Sequence, residues 1–108
     1  MNAWKIPPAV EDRIRKRDKH CVYCHIKMKR MLYTSGSPNR KATIEHINNN
    51  DLRPWNTLNI VMCCGRCNTS KRDKKLLQWF ETDYCKKRKI SRRTVAAPVK
   101  KWLGANDK

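Results

Sequence analysis

The sequence predicts a small α+β domain, a β-β-α unit with a helix in front, on three observations. Two cysteine pairs, Cys21/Cys24 and Cys64/Cys67, each enclose two residues. Between the pairs, Ala42 to Ile47 alternates as a short strand does, with Ala42, Ile44 and His46 on one face and Thr43, Glu45 and Ile47 on the other. After the second pair, the residues from Arg66 or Cys67 onward favour a helix running to Phe80 or beyond, with Leu76, Leu77 and Phe80 as its apolar face. Four thiolates in two such knuckles suit tetrahedral zinc, which would staple the unit together.

Each element has a local reason. Residues 1–8 form an irregular lead-in that ends at Pro7 and Pro8. A helix is expected from Ala9 to about Lys19, with Val10 and Ile14 on its inner face. Pro8 suits the first turn, and Glu11 and Asp12 stand where the helix dipole favours acids. His20 to His25 holds the first knuckle. Residues 26–41 are basic and then turn-rich, with Met31, Leu32 and Tyr33 as a short strand before a loop at Ser35–Asn39. The asparagine run Asn48–Asn50 with Asp51 ends the next strand. Leu52 to Leu58 is a loop containing Pro54 and Trp55, and Asn59 to Met62 is a short apolar approach to the second knuckle. On this basis residues 1–85 form the domain, with its core at about 18–80. Residues 86–108 are a basic C-terminal extension ending in an apolar tail with Trp102 and Leu103, which offers a surface for a partner protein or a homodimer.

Composition narrows the function. In 108 residues there are 26 Lys and Arg against 9 Asp and Glu, a formal net charge of +17. A field of one sign favours a polyanion, and neutralised phosphates release counterions, so nucleic acid is the expected partner. Only 39% of residues are hydrophobic, and mean hydropathy is −0.90. A core that small leans on a metal, because zinc binding is then folding free energy. Six cysteines would also fit a secreted disulfide scaffold, but the paired spacing is a metal pattern. No apolar signal segment follows Met1, and no apolar run is long enough to span a bilayer. An intracellular, cytoplasmic location and no membrane partner are expected.

The segments "CVYC", "ATIEHI", "NTLNIVMC" and "CGRCNTSKRD" together resemble the HNH endonuclease family, of the ββα-metal nuclease fold, over about residues 18–80. The resemblance implies a small zinc-stapled ββα-metal domain in a bacterial or phage-type host. It implies that His46 is the general base, suited to that role by an imidazole pKa of about 6.5. Glu45 stands where relatives carry a metal-binding acid, more often Asp. Asn59 matches the middle Asn, whose side chain binds backbone across the loop and orients His46. Asn68 replaces the final His, which makes an HNN variant. Its amide oxygen, with the Glu45 carboxylate, would hold one hard cation, Mg²⁺ or Mn²⁺. The implied reaction is hydrolysis of DNA by in-line attack of a water activated by His46. The metal would stabilise the leaving 3′ oxygen, and the products would carry 5′-phosphate and 3′-hydroxyl ends.

The structural zinc would be separate, bound by Cys21, Cys24, Cys64 and Cys67. Cys63 adjoins Cys64 and competes as a ligand, but the spacing favours Cys64. Cys63 and Cys85 are then free thiols, and His20 and His25 are alternative ligands. Arg66, Lys71 and Arg72, with Lys86, Lys87 and Arg88, are expected on the backbone of double-stranded DNA, with Arg13–Arg17 widening the footprint. The alternatives are a non-catalytic zinc-ribbon nucleic-acid-binding module and a small RNA-binding zinc protein. The set Glu45, His46, Asn59 and Asn68 separates the nuclease from both.

Overall fold

In a computed structural model, which describes residues 4–29 and 40–106, the chain is α+β around one two-stranded antiparallel sheet. The expected strand at Met31–Tyr33 and the loop at Ser35–Asn39 lie outside the described residues. The elements are α1 (Pro8–Arg17), β1 (Ala42–His46), β2 (Ile60–Cys64), α2 (Gly65–Lys71), α3 (Leu76–Phe80), α4 (Asp83–Arg88) and α5 (Ala97–Asn106). A 3-10 turn at Thr57–Asn59 leads into β2. No helix among the described residues is long and apolar enough to cross a membrane.

Helix α1 starts at Pro8 and stops two residues earlier than the sequence suggests. Asp18 ends it, its N–H closing on the Ile14 carbonyl. The Asp18 carboxylate is then committed elsewhere, to the Arg17 guanidinium and to the Met62 N–H of β2 at 3.0 Å. The helix is therefore anchored to the sheet by a buried, hydrogen-bonded acid, which costs little because its oxygens are satisfied.

The hairpin pairs Ala42 with Cys64 and His46 with Ile60 at its two ends. Strand β1 ends at His46, and Ile47 bends away while its N–H still donates to the Asn59 carbonyl. One sheet face carries Thr43 and Glu45 and meets α2, through bonds to Asn68 and Lys71. The other carries Ala42 and Met62 beside α1, and His46 beside Trp4.

The single long helix expected from residue 66 to 80 is two short ones. Between Lys71 and Leu76 the residues Arg72, Asp73, Lys74 and Lys75 are all exposed, so a continued helix would bury nothing there. Arg72 adopts φ 49°, ψ −122°, and turns the chain. The buried face of α3 is then Leu76, Trp79 and Phe80, with Leu77 turned outward.

Residues beyond 86 are not an appendage. Ile90, Val95, Val99 and Leu103 are buried in the same core as Tyr23, Met62 and Trp79, and Trp102 packs against it. The Ala96 N–H bonds the Val22 carbonyl at 2.8 Å. The boundary at residue 86 is therefore not a packing boundary. Leu103 is buried in that core, and Trp102 is half-buried against it.

Candidate metal centre and polar site

The sulfurs of Cys21, Cys24, Cys64 and Cys67 all lie within 4.8 Å of one another, and those of Cys24 and Cys64 are 3.7 Å apart. The backbone builds this cluster. In the first knuckle, Cys21 N–H bonds the Ile26 carbonyl, and His25 takes a left-handed φ of 67° so that its N–H reaches the Cys21 carbonyl. In the second, Cys64 ends β2 and Cys67 lies in the first turn of α2. The Cys24 and Cys67 N–H groups point at the Cys21 and Cys64 sulfurs, at 3.5 and 3.4 Å. Tyr84 adds a hydroxyl donor to the Cys67 sulfur at 3.2 Å. Hydrogen bonds among the thiols push Cys21 and Cys67 up and Cys24 down, so the four do not share charge evenly on their own.

Zinc fits this donor set. Four sulfurs about 2.3 Å from a central ion form a closed tetrahedron of the observed size, and donors to the sulfurs are the usual support. Cys21, Cys24, Cys64 and Cys67 would hold the ion, and its contribution is cross-linking. Cys63 is excluded by strand alternation: it points to the opposite face from Cys64, with its sulfur near the Thr43 hydroxyl. Burial pushes the Cys63 thiol up. His20 and His25 are outside the cluster; the His25 ring nitrogen bonds the Thr94 carbonyl instead.

At the other end of the hairpin sits the polar set. Asn59 is buried, and its amide spans the loop that follows β1. Its oxygen accepts from the Asn48 N–H at 2.7 Å, and its nitrogen donates to the Asn48 and Asp51 carbonyls at 3.0 and 2.8 Å. His46 immediately precedes that loop and is 3% exposed. Its Nε2 is buried and has no hydrogen-bond partner among the described residues. Trp4 packs edge-on against the ring, with centroids 4.8 Å apart. Burial lowers the His46 pKa, Asp51 pulls against that, and Lys71 adds to it. The imidazole is therefore neutral near pH 7.

Glu45 is placed differently. It is 2% exposed, and its Oε2 accepts from the Tyr23 hydroxyl at 2.9 Å and pairs with Lys71 Nζ at 3.2 Å. Burial raises its pKa against the pull of Lys71 and Tyr23. Asn68 donates its amide nitrogen to Thr43 Oγ1 and, more weakly, to the Ile44 carbonyl. The residues expected to hold a catalytic Mg²⁺ or Mn²⁺ do not fit that ion as they stand. A cation at Glu45 would have to displace an ammonium already bound to the same oxygen, deep in the β1–α2 interface. Glu45 and His46 also belong to opposite faces of β1.

Lys71 itself needs correcting as a DNA contact. It is 0% exposed, and its ammonium bonds the Ile47 carbonyl at 3.0 Å as well as Glu45. An ammonium fixed there reaches no external phosphate. Arg66 is half-buried beside Tyr84 and Cys24, with its Nε unpartnered among the described residues. Arg72, Lys86, Lys87 and Arg88 are exposed, although Arg88 stacks over the Tyr84 ring at 3.8 Å.

Sequence reasoning missed Tyr23, Tyr84 and Trp4. Tyr23 was within reach, because a residue enclosed by two clustered cysteines is positioned by them. Nothing near Tyr84 or Trp4 in the chain signals their partners. No protein-family model, curated protein or solved structure matches this chain.

Proposed function

We propose that the chain is an HNH-type endonuclease that hydrolyses DNA phosphodiester bonds at the His46 end of the hairpin, with zinc in a purely structural role. One observation carries the reading. A buried imidazole whose lowered pKa favours its neutral form, and whose Nε2 has no partner among the described residues, stands directly before a loop clamped by a buried asparagine. A buried polar atom without a partner is uncommon and calls for a reason, and proton acceptance is one. His46 would take a proton at Nε2 from the attacking water. Asn59 would orient it through the backbone of Asn48 and Asp51, without touching substrate. The charge of +17 supports a polyanionic substrate. Arg72, Lys86, Lys87 and Arg88 are the exposed cations best placed among those expected to contact the backbone. No step is assigned to a divalent cation at Glu45, because its Oε2 is already engaged by Tyr23 and Lys71.

The same engagement favours a second reading, a zinc-stapled nucleic-acid-binding module without catalysis. Supercoiled plasmid separates the two. The zinc-loaded chain, given Mg²⁺, Mn²⁺ or neither, is expected to nick the plasmid, and His46→Ala is expected to abolish nicking while keeping its zinc. Nicking that survives His46→Ala would overturn the assignment of the base. Salt-dependent binding with no cutting by either protein would favour the module. Ends bearing 3′-phosphate would overturn the expected direction of bond cleavage.

A further inference from the structure

The segment from Asp51 to Leu58 joins the two strands at the His46 end and presents two apolar side chains to solvent. Trp55 is 73% exposed and Leu52 is 47% exposed. The loop is braced around them. The Asp51 carboxylate accepts from Arg53 Nε and Nη2 and from Asn56 Nδ2, at 2.7–2.8 Å. Backbone bonds run from Asn56 N to Arg53 O and from Thr57 N to Trp55 O, and Asn59 fixes the Asp51 carbonyl. These bonds set the turn that presents Trp55 to solvent. Beside the loop lies an open groove lined by Arg17, Thr57, Leu58, Ala97, Pro98 and Lys101.

We propose that this loop is a base-stacking platform. Its preferred ligand is DNA with an unstacked base (gapped, bulged or branched), and not intact duplex. The inference deepens the nucleic-acid reading above and rests on it. An indole presented to water on a braced turn gains most from an unpaired base, because every base offers a flat face. In intact duplex the same contact requires unstacking first, which costs a few kcal/mol per step. Lys101, exposed and lining the adjoining groove, supplies a cation for a neighbouring phosphate. A protein partner is the weaker occupant. One Trp and one Leu fall far short of the roughly 800 Å² per side that a stable interface needs, and the net charge points to a polyanion.

The test uses binding, so it does not depend on cutting. Full-length, zinc-loaded His46→Ala protein is titrated onto a fluorescent duplex and onto the same duplex with a short central gap carrying 2-aminopurine. The gapped DNA is expected to bind more tightly and its 2-aminopurine to be quenched. Adding Trp55→Ala should weaken gapped binding by about 5- to 150-fold, abolish the quench and change duplex binding less than about twofold. Trp55→Phe should keep most of the preference. Equal weakening on both DNAs, no weakening, or no preference at the outset would overturn the proposal. So would a Trp55-dependent dimer in sedimentation, which would make the loop a protein contact. A parent chain that cuts nothing, while the Trp55-dependent preference persists, sinks the nuclease reading alone. A chain that nicks plasmid with no Trp55 effect sinks only the stacking loop.

Discussion

The two ends of the β1–β2 hairpin are held by different chemistry. At the Ala42–Cys64 end, four cysteine sulfurs gather within 4.8 Å. At the His46–Ile60 end, the amide of Asn59 makes three bonds to backbone. The first end is weakly held from within, because its four clustered thiols, three of them buried, offer one another only weak hydrogen bonds. The second is held by hydrogen bonds within the protein itself. A metal end fails all at once, whereas a hydrogen-bonded end fails in increments. The rigid cross-link and the polar site can therefore be disturbed separately.

Metal loss is the largest break. Structural zinc contributes about 10–16 kcal/mol of apparent binding free energy in small domains, as much as the whole stability of an ordinary one. Cys64→Ser or Cys67→Ser, or a strong chelator, is expected to unfold the chain, seen as loss of the cooperative thermal transition. Metal analysis of the parent should find a single zinc per chain. Retention of native circular dichroism without zinc would mean that the core of Tyr23, Met62 and Trp79 suffices alone.

The next effect lies between the ends, at the buried Lys71–Glu45 pair. Lys71→Met leaves a buried carboxylate without its cation and should cost about 3–5 kcal/mol. Lys71→Met with Glu45→Gln removes both charges and should recover most of that loss, since a buried pair often contributes little net stability. A double-mutant cycle in urea reads the coupling. Additive losses would mean that the two groups act independently and would reopen Glu45 as a metal ligand.

At the polar end, Asn59→Ala removes three bonds at about 1 kcal/mol each, so a loss of about 2–3 kcal/mol is expected with zinc retained. Asn59→Asp should cost more than Asn59→Ala. It keeps the acceptor for Asn48 N–H but turns an oxygen towards the Asn48 and Asp51 carbonyls. Denaturant midpoints compare the two. If the aspartate variant is the more stable, the amide is not oriented as described.

These contrasts also show what the chain made legible. The cysteine spacing reads directly, because two C-x2-C knuckles leave few ways to close a tetrahedron. Strand β1 reads from its alternation, and the spacing that favours Cys64 over Cys63 agrees with the opposite faces the two take in β2. Lys71 was hidden by its neighbours: in a run of Lys71, Arg72, Lys74 and Lys75, charge suggests a solvated face. The available signal was its spacing from Cys67, four residues along one helix and thus on the same buried side. The C-terminal segment was hidden in the same way. Val95, Val99 and Leu103 recur every four residues, but the basic residues around them read as an extension. Composition reports the average of a segment, and burial is decided by the few positions that depart from it.

The smallest effect concerns the buried histidine, His46. Burial lowers the His46 pKa below its ordinary value of 6.5. As pH falls, the unfolded chain protonates this residue first, so between the two pKa values the unfolded state binds more protons. Stability then rises with pH across that window. The contribution is complete above about pH 6.5 and is lost as pH falls towards the folded-state value. Glu45 works the other way, because its raised pKa lets the folded state take up a proton earlier. The parent alone would mix the two. His46→Gln isolates the imidazole: from about pH 5.5 to 7.5 the unfolding free energy should rise less with pH in the variant than in the parent. Equal slopes would mean that His46 titrates alike in both states. Trp4 and the folded loop would then not be desolvating it, and the case for a poised neutral base would lose its physical footing.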